Sequence, residues 1–378
     1  MGVTDIVGGG GGTINRMRIL HFIAAPAAGG AEVYVKDLLK ALKENEQTLY
    51  VGFLEHATDV GRSQKYEEGF LSELDELGVK YFFVGHRARR RPWIGILHVR
   101  KFVKYHNIDI YHAHLFYGIL FGALTGKPTV YTHHSSIARA SKLVYFIFNR
   151  LVSAYVAISR VCADNLRGYS GSSRITTIYN AVDFEKLKQR VRDYNNTEVF
   201  NVIAVGRLVP EKNYEYLLEA ISLLPSHIKN KLRVRIVGEG PVDYRDELYN
   251  LIGKRGLIKT VTLTGNRDDV PELLDQSDLF LMTSVFEGLP IALIEATASG
   301  LPAVVTRVGG CPEIIEMCKN GVCVSPSQPA QMAHAIEDIL ENPLELASMS
   351  RNAVSYSSFL GMQFSVDKHL KLYRSLFK

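Results

Sequence analysis

The run Phe286-Glu287-Gly288-Leu289-Pro290-Ile291-Ala292-Leu293-Ile294-Glu295 places two carboxylates eight residues apart, the first in a loop and the second on the helix that the loop opens. Pro290 suits the first turn of that helix. From these positions both side chains can point toward the ends of the preceding strands and grip separate hydroxyls of one ligand. Gly288 lets backbone approach closely, and the free N–H groups of a helix start hold negative charge. A solvated helix face also carries glutamates, but the apolar run between these two argues for a buried helix, where lone carboxylates are costly.

A second loop, Gly206-Arg207-Leu208-Val209-Pro210-Glu211-Lys212-Asn213, follows an apolar stretch and precedes the helical pattern Tyr214–Leu224. Arg207 as a fork and Lys212 as a point charge suit a diphosphate. The plainer alternative is a helix-start loop with surface cations. Val237-Gly238-Glu239-Gly240-Pro241 is a tight turn after the next strand, and Gly29-Gly30-Ala31-Glu32 follows the first strand of the chain. Two histidine pairs, in Tyr111-His112-Ala113-His114 and Tyr131-Thr132-His133-His134, stand at strand ends. Alternation puts His112 and His114 on one side, and each of these histidines could equally be a satisfied sheet residue.

Taken together these motifs resemble retaining glycosyltransferase family 4. Glu287 to Glu295 is similar to its E-x7-E signature, Gly206-Arg207 with Lys212-Asn213 to its G-R…K-N loop, Val237 to Pro241 to its G-x-G-P turn, and Gly29-Gly30 to its glycine-rich loop. The resemblance implies a GT-B fold, α/β with two doubly wound Rossmann-like domains facing each other across a cleft. It implies catalytic roles for His114, Glu287, Arg207 and Lys212. It further implies that Arg207 and Lys212 neutralise the donor diphosphate, Glu287 holds the transferred sugar and Glu295 the ribose. Gly29, Gly30, Gly206, Gly238, Gly288 and Leu289 would supply close backbone or amides around the donor. His114 would lie near the anomeric carbon, with His133 or His134 touching the acceptor. The expected donor is a nucleotide diphosphate-sugar, UDP-sugar first. The expected acceptor is a saccharide or lipid-diphosphate-linked saccharide, in polysaccharide or glycan biosynthesis. No cofactor and no metal is expected, in keeping with the lack of an Asp-x-Asp pair after a strand.

The elements that must position these residues are written in the alternation of short apolar runs with longer amphipathic ones, the pattern of β-α-β units around parallel sheets. Strands are expected at Arg18–Ala24, Thr48–Leu54, Lys80–Val84, Ile108–Ala113, Thr129–Thr132 and Tyr155–Ser159. A second set is expected at Val199–Val205, Arg233–Val237, Val261–Leu263, Leu279–Met282, Ala303–Val305 and Gly321–Val324. The polar stretch Phe184–Glu198 reads as a linker. The expected division is a flexible leader over 1–16, an acceptor-binding domain over 17–182, and a nucleotide-sugar domain over 196–358. A helical segment over 359–378 would pack back on the first domain.

The chain has 378 residues, 47% hydrophobic and 22% charged, ample for two packed domains. No apolar run reaches the roughly 18 residues of a membrane-spanning helix, and Cys162, Cys311, Cys318 and Cys323 match no metal-ligand spacing. Reduced thiols and a cytoplasmic setting are expected. Between Leu77 and Ala163 the single acidic residue is Asp109, against a long series of lysines and arginines. Such a surface attracts an anionic membrane, here the inner face, or a phosphorylated acceptor, and Arg89, Arg90 and Arg91 beside Trp93 and Ile94 resemble an interfacial anchor. Nucleic acid is disfavoured, for no stacking module is interleaved. Ala24 to Gly30 lacks the G-x-G-x-x-G of a dinucleotide-dependent dehydrogenase. A sugar-nucleotide epimerase of the same architecture, and a non-catalytic nucleotide-sugar-binding subunit, remain as alternatives.

Overall fold

The computed structural model describes residues 16–27, 29–195 and 197–377. The glycine-rich start, Ala28 in the first loop and Asn196 at the expected domain boundary lie outside the described residues. The first sheet holds seven parallel strands: β1 (Arg18–Ile23), β2 (Thr48–Phe53), β3 (Lys80–Phe83), β4 (Ile110–Ala113), β5 (Thr129–His133), β6 (Ala154–Ala157) and β7 (Ile175–Thr177), in the order β3-β2-β1-β4-β5-β6-β7. The second holds six: β8 (Phe200–Val205), β9 (Leu232–Val237), β10 (Val261–Gly265), β11 (Leu279–Met282), β12 (Ala303–Thr306) and β13 (Gly321–Val324), in the order β10-β9-β8-β11-β12-β13. Buried strands such as Leu279-Phe280-Leu281-Met282 are apolar on both faces because helices cover both sides of a parallel sheet. The sequence pattern missed only β7, a three-residue edge strand too short to show a period.

In both sheets the chain winds outward from the middle in two directions. The switch falls between β1 and β4 in the first and between β8 and β11 in the second. A crevice opens outside the carboxyl ends of strands at such a point. The loops after these four strands carry Gly29-Gly30, His114, Arg207 to Lys212, and Glu287. Strand order therefore gathers residues that lie far apart in the chain.

Five helices matter for the site: α1 (Gly30–Glu44), α2 (Pro92–Tyr105), α3 (Lys142–Phe148), α4 (Ile291–Ala298) and α5 (Met362–Ser375). The chain crosses between the sheets twice, near Val182 and Gly361. The crossings are tied together by Val182 N–H to the Leu360 carbonyl at 2.9 Å and Met362 N–H to the Val182 carbonyl at 3.0 Å. Val366, Leu370 and Tyr373 of α5 join Leu38, Leu39 and Val35 of α1 in the core of the first sheet. Ile158, Cys162 and Val182 from the first half lie in one apolar cluster with Phe280, Leu289 and Ile294 from the second, so packing is continuous across the boundary. Among the described residues no helix is long and apolar enough to cross a membrane.

Candidate functional site

On the side of the second sheet, the loop after β8 and the loop after β9 lie backbone against backbone. Gly206 N–H donates to the Val237 carbonyl at 2.9 Å and Leu208 N–H to the Glu239 carbonyl at 3.0 Å. Gly238 adopts φ 143°, and a Cβ there would collide with the Gly206 carbonyl oxygen. This contact leaves room for no other residue. Lys212 ends a 3-10 turn (Pro210–Lys212), and Asn213 follows in the left-handed region at φ 51°, a conformation asparagine tolerates. That kink turns Lys212 toward the loop after β11. Its Nζ donates to Glu287 Oε1 at 2.5 Å, and Ser284 Oγ donates to the same oxygen at 2.7 Å. Thr283 Oγ1 fastens the other loop by donating to the Lys212 carbonyl at 2.9 Å.

Glu287 and Lys212 are thus brought together as an ion pair. Arg207 is exposed and, among the described residues, makes no ion pair. Gly288 packs beneath the other domain: a Cβ on it would stand 2.8 Å from the His134 carbonyl oxygen. The buried Leu289 gives its carbonyl to Asn180 Nδ2 at 2.9 Å. Pro290 caps α4 from just outside its first turn. Glu295 does not join the Lys212–Glu287 pair. It faces Asp37 of α1 and Lys186 of the linker, and it makes no hydrogen bond or ion pair among the described residues. Burial, with Asp37 adding to it and Lys186 opposing, raises its carboxyl to about 7.

The start of α1 closes the cleft from the first sheet. Gly29 is its N-cap and offers no side chain, and Gly30 lies so near α4 that a Cβ on it would be 3.8 Å from Ile291 Cγ1. The carboxylate of Glu32 folds back over Gly29. Burial holds its carboxyl above the ordinary range against the pull of its own backbone N–H, Arg62 and Arg207. Arg207 of the second domain and Arg62 of the first therefore flank one carboxylate across the cleft.

The histidines form a chain. His21 Nδ1 lies 2.9 Å from His114 Nε2, and His114 Nδ1 lies 3.0 Å from His134 Nε2. His112 is bonded at both ends, to Tyr373 Oη at 2.6 Å and Thr132 Oγ1 at 2.7 Å. His21, His112 and His114 bring ring nitrogens within 4.8 Å of one another, close enough to share an ion. Yet both nitrogens of His112 and of His114 are already engaged, and the cluster is a hydrogen-bonded line of imidazoles. Its two ends, His21 Nε2 and His134 Nδ1, have no partner. Burial drives His21 and His134 down to about 3 and His114 well below its ordinary value, so all three rings are neutral. His114 then donates one bond and accepts the other, while His21 and His134 each keep one ring nitrogen without a partner among the described residues.

His133 is not brought to this group. Successive strand residues point to opposite faces, and its ring turns away to Tyr131 Oη at 3.1 Å, inside the other layer. His21, Glu32 and Arg62 complete the constellation without having been picked out as site residues. The loop position of Arg62 after β2 and the inward parity of His21 on β1 are the only signals for those two.

Over residues 28–186 the chain matches Glycosyltransferase Family 4, and over 185–355 it matches Glycosyl transferases group 1. The chain belongs to the family 4 glycosyltransferases. This assignment makes it a transferase and sets aside the epimerase and the non-catalytic subunit. The glycosyltransferase is 29% identical over 320 residues to the UDP-Gal:alpha-D-GlcNAc-diphosphoundecaprenol alpha-1,3-galactosyltransferase of Escherichia coli, covering 76% of this chain and 81% of that one. It is 27% identical over 320 residues to the putative glycosyltransferase EpsF of Bacillus subtilis (strain 168), with 77% and 79% covered. Anabaena HepE, solved in complex with UDP-glucose, superposes with a TM-score of 0.78 at 23% identity, over 95% of this chain and all of the other. That superposition shows the shared GT-B fold.

Proposed function

We propose that this glycosyltransferase moves a hexosyl or N-acetylhexosaminyl group from a UDP-sugar to a saccharide carried on a lipid diphosphate, with retention at the anomeric carbon and without a metal ion, in glycan assembly. One observation carries the reading: Glu295 is an unpaired, partly buried carboxylate on the helix that opens beside the Lys212–Glu287 pair. A buried carboxylate without donors is costly, and the ribose hydroxyls of a nucleotide would supply them. The E. coli relative, whose name specifies a UDP-sugar and a lipid-diphosphate acceptor, supports the choice of substrates.

In this reading Lys212 neutralises Glu287 while the cleft holds no donor. An arriving diphosphate competes for the ammonium, with Arg207 as second cation, and frees Glu287 to accept hydroxyls of the sugar. Amides at Gly288, Leu289 and the start of α1 face the same phosphates. Two cations, two helix starts and paired loop amides meet the diphosphate charge without a divalent ion. A neutral imidazole pushed far below its usual basicity is a poor base. His134, whose Nδ1 has no partner among the described residues, therefore orients the acceptor oxygen, and His114 holds that ring in place. The proton passes to the departing diphosphate as the anomeric carbon–oxygen bond breaks and the acceptor bonds on the same face.

The reading is tested by thermal shift with UDP, GDP, ADP and CMP in EDTA, followed by NMR of the transferred linkage. UDP alone should stabilise the fold, and the anomeric configuration of the donor should persist. Absence of a shift with UDP, or a requirement for added divalent metal, would defeat the donor assignment; an inverted product would defeat retention.

A further inference from the structure

The first domain carries an apolar surface that its own fold leaves uncovered. Trp93 and Leu97 on α2 and Leu143, Phe146 and Ile147 on α3 are each between 48% and 68% exposed. Large apolar side chains exposed on one helical layer mark a binding face. The two helices belong to one layer: Val99 and Val103 of α2 and Tyr145 of α3 share the apolar core under that face of the first sheet. Phe116, stacked on Phe148 of α3 at 5.0 Å, packs against the same core.

The same layer is cationic. The lysines and arginines from Arg90 to Lys104, together with Arg139, Lys142 and Arg150, are all exposed and make no ion pair among the described residues. Asp109 is occupied by Arg18. Arg89, which the sequence placed in the anchor, is not available: its guanidinium is held by the buried Glu55 at 2.6 Å and 2.7 Å. Arg150 instead lies 4.3 Å over the ring of Phe146, joining charge and apolar body in one tip.

We propose that α2 and α3 form a membrane-docking face, with Leu143, Phe146 and Ile147 entering the interface of an anionic leaflet and the flanking cations held at its headgroups. Two copies of this face would repel each other, which disfavours self-association across it. Aliphatic side chains beside cations suit the boundary of lipid and water. The chain also links the face to the site, for α3 starts at the end of the loop 134–141 that leaves His134. An acceptor drawn from the bilayer would enter along that loop. The docking claim stands on the surface alone and survives or fails independently of the donor.

The experiment is vesicle flotation with the full chain, using phosphatidylcholine alone and phosphatidylcholine with roughly a third phosphatidylglycerol. The wild type should bind the anionic vesicles and release progressively as salt rises. The variant L143S/F146S/I147S should bind them about tenfold or more weaker while keeping the wild-type thermal shift with UDP. The variant R100S/K101S/K104S should bind more weakly at low salt with a flatter salt dependence. Wild-type binding by the first variant, or equal binding of the native chain to neutral and anionic vesicles, overturns the proposal. So does a dimer of the native chain, seen by light scattering, that the first variant dissolves, since a second copy would then occupy the face.

Discussion

The two halves of this glycosyltransferase handle charge in opposite ways. Around the second sheet, ionised side chains stand in direct contact with one another, as Lys212 does with Glu287, and glycines let their loops press together. Around the first sheet, a line of imidazoles is kept neutral by burial, while the cations of the α2–α3 layer from Arg90 onward lie at the surface without an ion pair among the described residues. The difference matches the proposed function, in which the second half takes the donor diphosphate and the first the acceptor hydroxyl. A half prepared for a diphosphate needs fixed charge that can be redirected when the ligand arrives. A half prepared for a hydroxyl needs dipoles that orient without ionising.

Acid should break the contrast most severely. Burial lowers His21 to about 3 and His369 to about 4, from ordinary values near 6.5. Their neutral forms therefore add stability that is complete above the unfolded value and is lost as pH falls toward the folded one. Each forfeits about 1.4 kcal/mol per pH unit within that window. Urea midpoints measured from pH 7 to pH 4.5 should fall steeply below about 6, with first-domain fluorescence leading; a flat profile would mean that these rings are not buried neutral.

Lys212→Ala is the next largest effect. It strips Glu287 of its counter-charge and the diphosphate of a cation, and kcat/KM should drop about 100- to 1000-fold with circular dichroism unchanged. Gly238→Ala attacks the same half through backbone. A Cβ facing the Gly206 carbonyl at φ 143° should cost about 1–3 kcal/mol in a melting experiment and weaken UDP binding with it. Smallest is Glu295→Gln, which should weaken UDP affinity about tenfold, the worth of a hydrogen bond to a charged group. It should also erase a rise in donor affinity between pH 6 and 8 that the native carboxyl, near 7, produces as it ionises. Persistence of that rise in the glutamine variant would assign it to another group.

What could be read from the sequence was whatever is local in the chain. The strand alternation, the paired glutamates and the loop from Gly206 to Asn213 each fit within a dozen residues. Contacts that decide chemistry are not local: Lys212 meets Glu287 across 75 residues and His21 meets His114 across 93. Composition cannot say which buried histidine faces which. Parity explains the remaining error, because His133 and His134 are neighbours in sequence and lie on opposite faces of a sheet. Arg89 looked like one cation among several until folding placed it beside a carboxylate from another loop.

The order in which the chain is made gives α5 a further significance. Tyr373 completes the partners of His112, and Ser365 meets Tyr34 at 2.8 Å. Both come from a helix translated after the entire second domain. The first domain is thus encoded in two pieces, and its interior cannot close while the ribosome is still extending the other. During synthesis the second domain can finish first, and α5, emerging after it, then seals a domain begun before it.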